Sequence, residues 1–197
     1  MPDVYQGEDF DLAGCIVGVV DKDEIIDGSA ITPGDRVIAL PSNGCHTNGY
    51  SLVRKIVFGE LGLGVHDRVD ELGCTVAEEF LKVHRSYLDL FDAIRSVGTI
   101  KGMAHITGGG IPDNLNRILP SGCDAKIDTA SWPVPKVFAF LRDKGGGSDA
   151  EMYHVFNMGL GLMIVVSEED ERKISDALGG KTTIYRVGEI VKGNGAV

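Results

Sequence analysis

The chain has 197 residues, of which 43% are hydrophobic and 24% charged, with 29 acidic against 19 basic side chains and a formal net charge of −10. That length and balance favour one globular core over disorder, and the acidity argues against nucleic-acid binding through a general basic surface. No apolar run reaches the ~18 residues of a membrane span, and the opening MPDVYQGEDFD lacks the basic and apolar regions of a signal peptide, so a cytosolic address away from membranes is expected.

In chain order, residues 13–20 (AGCIVGVV) form a β-branched apolar run that predicts a buried strand, and residues 36–40 (RVIAL) predict a second after the Thr32-Pro33-Gly34-Asp35 turn. From Asn48 the positions Leu52, Val53, Ile56 and Val57 recur at helical spacing, with Asn48 or Thr47 available as a cap. A longer helical pattern runs through Val76, Phe80, Leu81, Leu88, Phe91 and Ile94 and ends near Gly98. A short apolar piece at 103–106, the loop Thr107-Gly108-Gly109-Gly110 and a helical pattern from Pro112 through Leu119 follow. Residues 126–128, 160–166 and 183–190 predict strands, and 134–141 and 168–178 predict helices. Alternating elements of this kind indicate an α/β or α+β layered domain. Residues 144–149 are the most linker-like stretch, yet too short to divide domains. The cysteines at 15, 45, 74 and 123 form no C-x-x-C pair and read as free thiols.

Four stretches carry candidate chemistry. Residues 42–51 (SNGCHTNGYS) join a predicted strand to an amphipathic helix, where unpaired N–H groups favour an anion. His46 there could donate to a substrate oxygen or shuttle a proton near neutral pH, while Ser42, Thr47 and Asn48 could equally be caps. In residues 105–110 (HITGGG) three glycines remove every Cβ from a turn, letting backbone N–H groups approach a phosphate. The loop is neither a Walker A motif nor a dinucleotide fingerprint. Asn114 and Arg117 follow, Arg117 within possible reach of a phosphate or facing solvent. Residues 151–161 place Gly159 and Gly161 on one strand face, which implies close packing of a helix or a ligand, with Asn157 reading a ligand or tying down the loop. His84, Tyr153 and His154 show no partner. The acids of residues 5–11 could bind Mg²⁺ or form a solvated terminus.

Taken in order, MPDVYQGEDFDLAG, GDRVIALPSNGCHTNGYSLVRKI, AHITGGGIPDNLNRILP and EMYHVFNMGLGLMIVV resemble the C-terminal half of the phosphoribosylformylglycinamidine cyclo-ligase, or AIR synthetase, family. Selenophosphate synthetase, thiamine-monophosphate kinase and hydrogenase maturation proteins share that architecture with looser motifs. The resemblance implies a mixed sheet flanked by helices over residues 13–197, and residues 1–12 as a remnant of the segment between two domains. It further implies that an N-terminal domain, which holds most of the ATP and builds a homodimer, is missing. The implied reaction closes formylglycinamidine ribonucleotide to 5-aminoimidazole ribonucleotide with ATP and Mg²⁺. A non-catalytic ribonucleotide-binding module is the alternative, as is a related ATP-dependent enzyme of the same superfamily.

The residues carried over are His46 for proton transfer, Asn48 and Ser42 for substrate, and Thr107, Gly108, Gly109 and Gly110 for the ribose 5′-phosphate. Gly7, Glu8 and Asp9 match a domain-junction segment near ATP and Mg²⁺. The pattern is departed from at Cys45, where proline is common, at Gln6, where histidine is usual, and in residues 82–87, where Pro-Thr-Arg-x-Tyr keeps only Arg85 and Tyr87.

Overall fold

Residues 13–197 are described by a computed structural model. The strands are β1 (Arg36–Pro41), β2 (Arg68–Val69), β3 (Cys74–Thr75), β4 (Gly102–His105), β5 (Cys123–Ile127), β6 (Leu160–Val166) and β7 (Tyr185–Lys192). The helices are α1 (Tyr50–Arg54), which runs on into a π-helical turn at Lys55–Glu60, then α2 (Val76–Phe80), α3 (Leu88–Arg95), α4 (Gly110–Asn116), α5 (Lys136–Gly145), α6 (Asp149–Val155) and α7 (Glu168–Leu178).

Five strands form one sheet in the order β4-β6-β1-β7-β5, and β2 and β3 make a separate hairpin. The layered α+β architecture is as expected, but the sheet is antiparallel in all four described pairings rather than mixed. Strands β1, β4 and β5 run in one sense and β6 and β7 in the other, and the two sets alternate across the sheet, so connections between strands of the same sense skip a neighbour rather than making a parallel pair. Along β1, Val37 and Ala39 enter one apolar cluster with Ile111 and Leu115 of α4, while Ile38 and Leu40 enter another with Ile94 of α3 and Ile174 of α7. Successive side chains of a strand point to opposite faces, so the sheet is covered on both. That is why all seven residues of β6 are apolar or glycine and buried. A third cluster gathers α1, α2, α5 and α6 around Phe138 and Phe156.

Two further expectations fail. Residues 13–20 form no strand, and Ile16, Val17 and Val19 are 97%, 88% and 98% exposed. β-Branched residues fit a pleated, half-buried surface, and no strand among the described residues pairs with this run. The long helix through residues 76–94 is broken into α2 and α3 by a non-helical segment at 81–87. Its side chains bind elsewhere, since Arg85 Nη1 and the Tyr87 hydroxyl both donate to the Pro41 carbonyl at 3.1 and 3.0 Å. The linker-like residues 144–149 are a joint between helices, with Gly146 at φ 64 closing α5 and a Ser148–Glu151 capping box opening α6.

Candidate functional site at the meeting of two loops

β1 delivers the chain into the loop of residues 42–49, which is fastened from below by Asn157. The Ser42 hydroxyl donates to Asn157 Oδ1 at 2.9 Å, the Gly159 N–H donates to the same oxygen at 2.8 Å, and Asn157 Nδ2 donates to the Gly44 carbonyl at 2.9 Å. Asn157 is only 2% exposed, so it ties down the loop rather than reading a ligand. Ser42, expected at the substrate, has its hydroxyl committed to this anchor.

His46 follows at φ 55, an uncommon backbone for a non-glycine residue, and its side chain is buried. The ring stacks on His84 at 3.9 Å between centroids, with Tyr87 at its edge. Room for it comes from Gly161 of β6, where a Cβ would collide with the Tyr87 hydroxyl and lie 2.7 Å from His46 Cε1. The close approach expected at Gly161 is therefore made by two side chains of the site; Gly159 is packed against Pro135.

Burial, reinforced by His84, His105 and Arg85 nearby, lowers the His46 pKa to about 4. The ring is thus uncharged near neutral pH, which revises the expectation of a proton shuttle titrating there. Its Nε2 accepts from the Asn43 N–H at 3.3 Å, which leaves the ring proton on Nδ1, and Nδ1 is buried with no hydrogen-bond partner among the described residues. A histidine of depressed pKa is protonated in the unfolded chain before the folded one. Stability should therefore fall as pH drops from about 6.5, the ordinary histidine value, toward 4. Burial lowers His105 in the same direction. Thermal melts across that window should show a falling midpoint, and His46→Asn should make the decline shallower.

The second loop leaves β4 at His105. Buried Asn114 organises it, sharing Nδ2 among the carbonyls of Thr107, Gly108 and Gly110 at 3.2, 3.2 and 2.7 Å. Its Oδ1 accepts from the Thr107 hydroxyl and from Arg117, each at 3.1 Å. Thr107 thus shapes the loop with its hydroxyl, and Arg117 braces the brace. The two loops are joined by Asn48, whose Oδ1 accepts from the Gly108 N–H at 3.0 Å. Asn48 is therefore no helix cap; Gly49, at φ 77, occupies that position. Asn48 Nδ2 is buried and unpartnered among the described residues.

The three glycines answer to different demands. Gly110 has φ 61, and a Cβ there would strike the Tyr153 carbonyl; Gly109 has φ 92, and its Cβ would meet the Asp113 side chain. Gly108 has no positive φ, and its nearest neighbour would be Asn48 Oδ1 at an ordinary 3.7 Å. The fold itself does not require glycine at 108.

His46, Asn48 and Gly108 come together where the two loops meet, and His84 joins them from the segment before α3. His84 Nε2 lies 3.2 Å from His105 Nε2. No spacing rule could connect His46, His84 and His105, because each comes from a different segment of the chain. Imidazole nitrogens do not suit Mg²⁺, which prefers oxygen ligands, and the acidic candidates Glu8 and Asp9, with Gly7, lie outside the described residues.

Residues 32–197 match the family described as AIR synthase related protein, C-terminal domain. The chain belongs to that family. It is 48% identical over 195 residues to the phosphoribosylformylglycinamidine cyclo-ligase of Desulfotalea psychrophila, covering 98% of this chain and 54% of that protein. It is 45% identical to the enzyme of the same name from Geobacillus kaustophilus, covering 99% of this chain and 57% of that one. The chain spans about half the length of the curated relatives it matches. Among solved structures, hydrogenase maturation protein HypE in complex with ATP superposes at a TM-score of 0.56 with 17% identity, covering 88% of this chain and 47% of HypE. Thiamine-monophosphate kinase from Stenotrophomonas maltophilia K279a also gives 0.56, at 15% identity, covering 89% and 53%. At such identities the two structures establish the fold of the AIR synthase-related domain and nothing finer.

Proposed function

We propose that this chain is the substrate-side half of a cyclo-ligase that closes formylglycinamidine ribonucleotide to 5-aminoimidazole ribonucleotide, working with an N-terminal half that binds most of the ATP and forms the homodimer. The cell compartment proposed is the cytosol; among the described residues no helix is long and apolar enough to cross a membrane. The observation that carries the reading is the pair of buried groups without a partner among the described residues, His46 Nδ1 and Asn48 Nδ2, beside a glycine that the described fold does not need. Buried polar groups are normally paired, so these two are best accounted for by a polar ligand between the loops.

In the proposed complex the backbone of residues 107–110 takes the ribose 5′-phosphate, with Gly108 allowing the closest approach. The Asn48 amide and His46 Nδ1–H donate to substrate oxygens. ATP transfers its γ-phosphoryl group to the amide oxygen of the substrate, an amidine nitrogen closes the ring, and phosphate leaves with ADP as the other product. Mg²⁺ would neutralise phosphate charge in the complete enzyme; no described residue is assigned to it. Because His46 is neutral, it serves as a fixed donor that favours charge developing on oxygen, a task of positioning and electrostatics.

The test combines this chain with the N-terminal half of a full-length relative and measures ATP-dependent formation of aminoimidazole ribonucleotide. Activity exceeding that of the N-terminal half alone is expected. Gly108→Ala should leave the melting temperature unchanged while raising KM for the ribonucleotide about ten-fold, the cost of misplacing one good phosphate contact. No added activity, with ribonucleotide binding retained, would favour the non-catalytic module.

A further inference from the structure

We propose that His46, His84 and His105 form a binding site for a divalent transition-metal ion of the zinc class. One ring nitrogen from each of the three lies within 4.8 Å of the others. The 3.2 Å between His84 Nε2 and His105 Nε2 is close to the edge, about 3.3 Å, of a tetrahedron whose metal–nitrogen bonds are about 2.0–2.1 Å. Three imidazoles with a fourth position left open is a donor set that suits zinc, and imidazole also suits nickel, cobalt and copper. The proposal is argued from these rings alone; it takes the same His46 Nδ1 that the cyclo-ligase reading turns toward a substrate oxygen, so the ion and that donor role exclude each other at any one time.

The scaffold holds all three backbones in place. His46 sits in the loop fastened by Asn157, and His105 ends β4, where it pairs with Leu162 of the central strand β6. His84 lies between two tethers, with Asn43 Nδ2 donating to the Val83 carbonyl at 2.6 Å on one side and Arg85 bound to Pro41 on the other.

Two features set the terms of binding. The rings of His46 and His84 are stacked, 25° from parallel, so His84, which is only half-buried, swings about its side-chain torsions to converge on the ion. His46 moves its proton from Nδ1 to Nε2 and gives up the long contact with the Asn43 N–H. The Arg85 guanidinium, though committed to the Pro41 carbonyl and the Thr182 hydroxyl, opposes a cation here, and the three ligands bring no negative charge. The affinity expected is therefore about micromolar rather than nanomolar, well short of charged structural zinc sites.

The experiment is calorimetric titration of the chain with Zn²⁺ in a Cys15→Ser background, which removes the exposed thiol. It is repeated for His84→Gln and His105→Gln, with His154→Gln as a control at an exposed histidine away from the cluster. One ion per chain is expected, with binding weakened about ten-fold or more by either cluster substitution and unchanged by the control. Zn²⁺ should raise the melting temperature of the parent and leave that of the cluster variants unmoved. Co²⁺ in place of Zn²⁺ should give a visible spectrum of nitrogen ligation without a thiolate charge-transfer band. Absence of binding, equal affinity in a folded His84→Gln or His105→Gln protein, or a thiolate band each overturns the proposal.

Discussion

Asn157→Ala is expected to lower the melting temperature by roughly 10 °C and to abolish ligand binding at the two loops together. The side chain makes one donor and two acceptor contacts and is 2% exposed. Its removal leaves the Gly44 carbonyl, the Gly159 N–H and the Ser42 hydroxyl without the amide that now satisfies them. An unsatisfied buried group costs about 1–3 kcal/mol, and partial relaxation of three brings the total to about 3–5 kcal/mol. For a domain of this size each kilocalorie corresponds to about 2–4 °C in midpoint. The same change frees the loop that places His46 and Asn48, so the loss of affinity for the proposed ribonucleotide should exceed what partial unfolding explains at 20 °C. Thermal melts and titration calorimetry at that temperature separate the two effects. A midpoint lowered by less than about 2 °C would show that the anchor is dispensable.

That anchor also marks where reading residues in order stops being sufficient. β6 and α7 coincide with the expected residues 160–166 and 168–178, because each has a local boundary: a turn through Gly159 before the strand and the Ser167 cap between strand and helix. The glycine-rich loop between strand and helix was equally legible. Residues 13–20 were not, since β-propensity says nothing about whether a partner strand is present. The break at 81–87 was hidden because apolar spacing is indifferent to Arg85 and Tyr87 finding a better acceptor in Pro41. At the site, His46, Asn48 and the glycines could be named from their loops. Their connections could not: the Asn48–Gly108 bridge and the histidine cluster join positions far apart in the chain, and His84 carried no signal of its own. Strand direction was likewise invisible, because a sheet covered on both faces shows the same continuous apolar runs whether it is parallel or antiparallel.

Gly161→Ala should be a damaging single-methyl change within the sheet. The added Cβ falls on the Tyr87 hydroxyl and close to His46 Cε1, so one ring or both must leave, and with Tyr87 goes its hydrogen bond to Pro41. β6 cannot retreat, because it is paired to β1 on one side and β4 on the other. Overpacking of this kind costs about 1–3 kcal/mol, or roughly 3–10 °C in the midpoint. Tyr87→Phe removes the oxygen that the new methyl meets first, so the cost of Gly161→Ala should shrink in that background, with a coupling of about 1 kcal/mol between the two positions. Affinity for the proposed ribonucleotide should recover less than stability does, since His46 remains displaced by the Cβ that Tyr87→Phe leaves in place. Additive midpoints in the double-mutant cycle would mean that Gly161 is needed for the strand itself rather than for the two side chains packed against it.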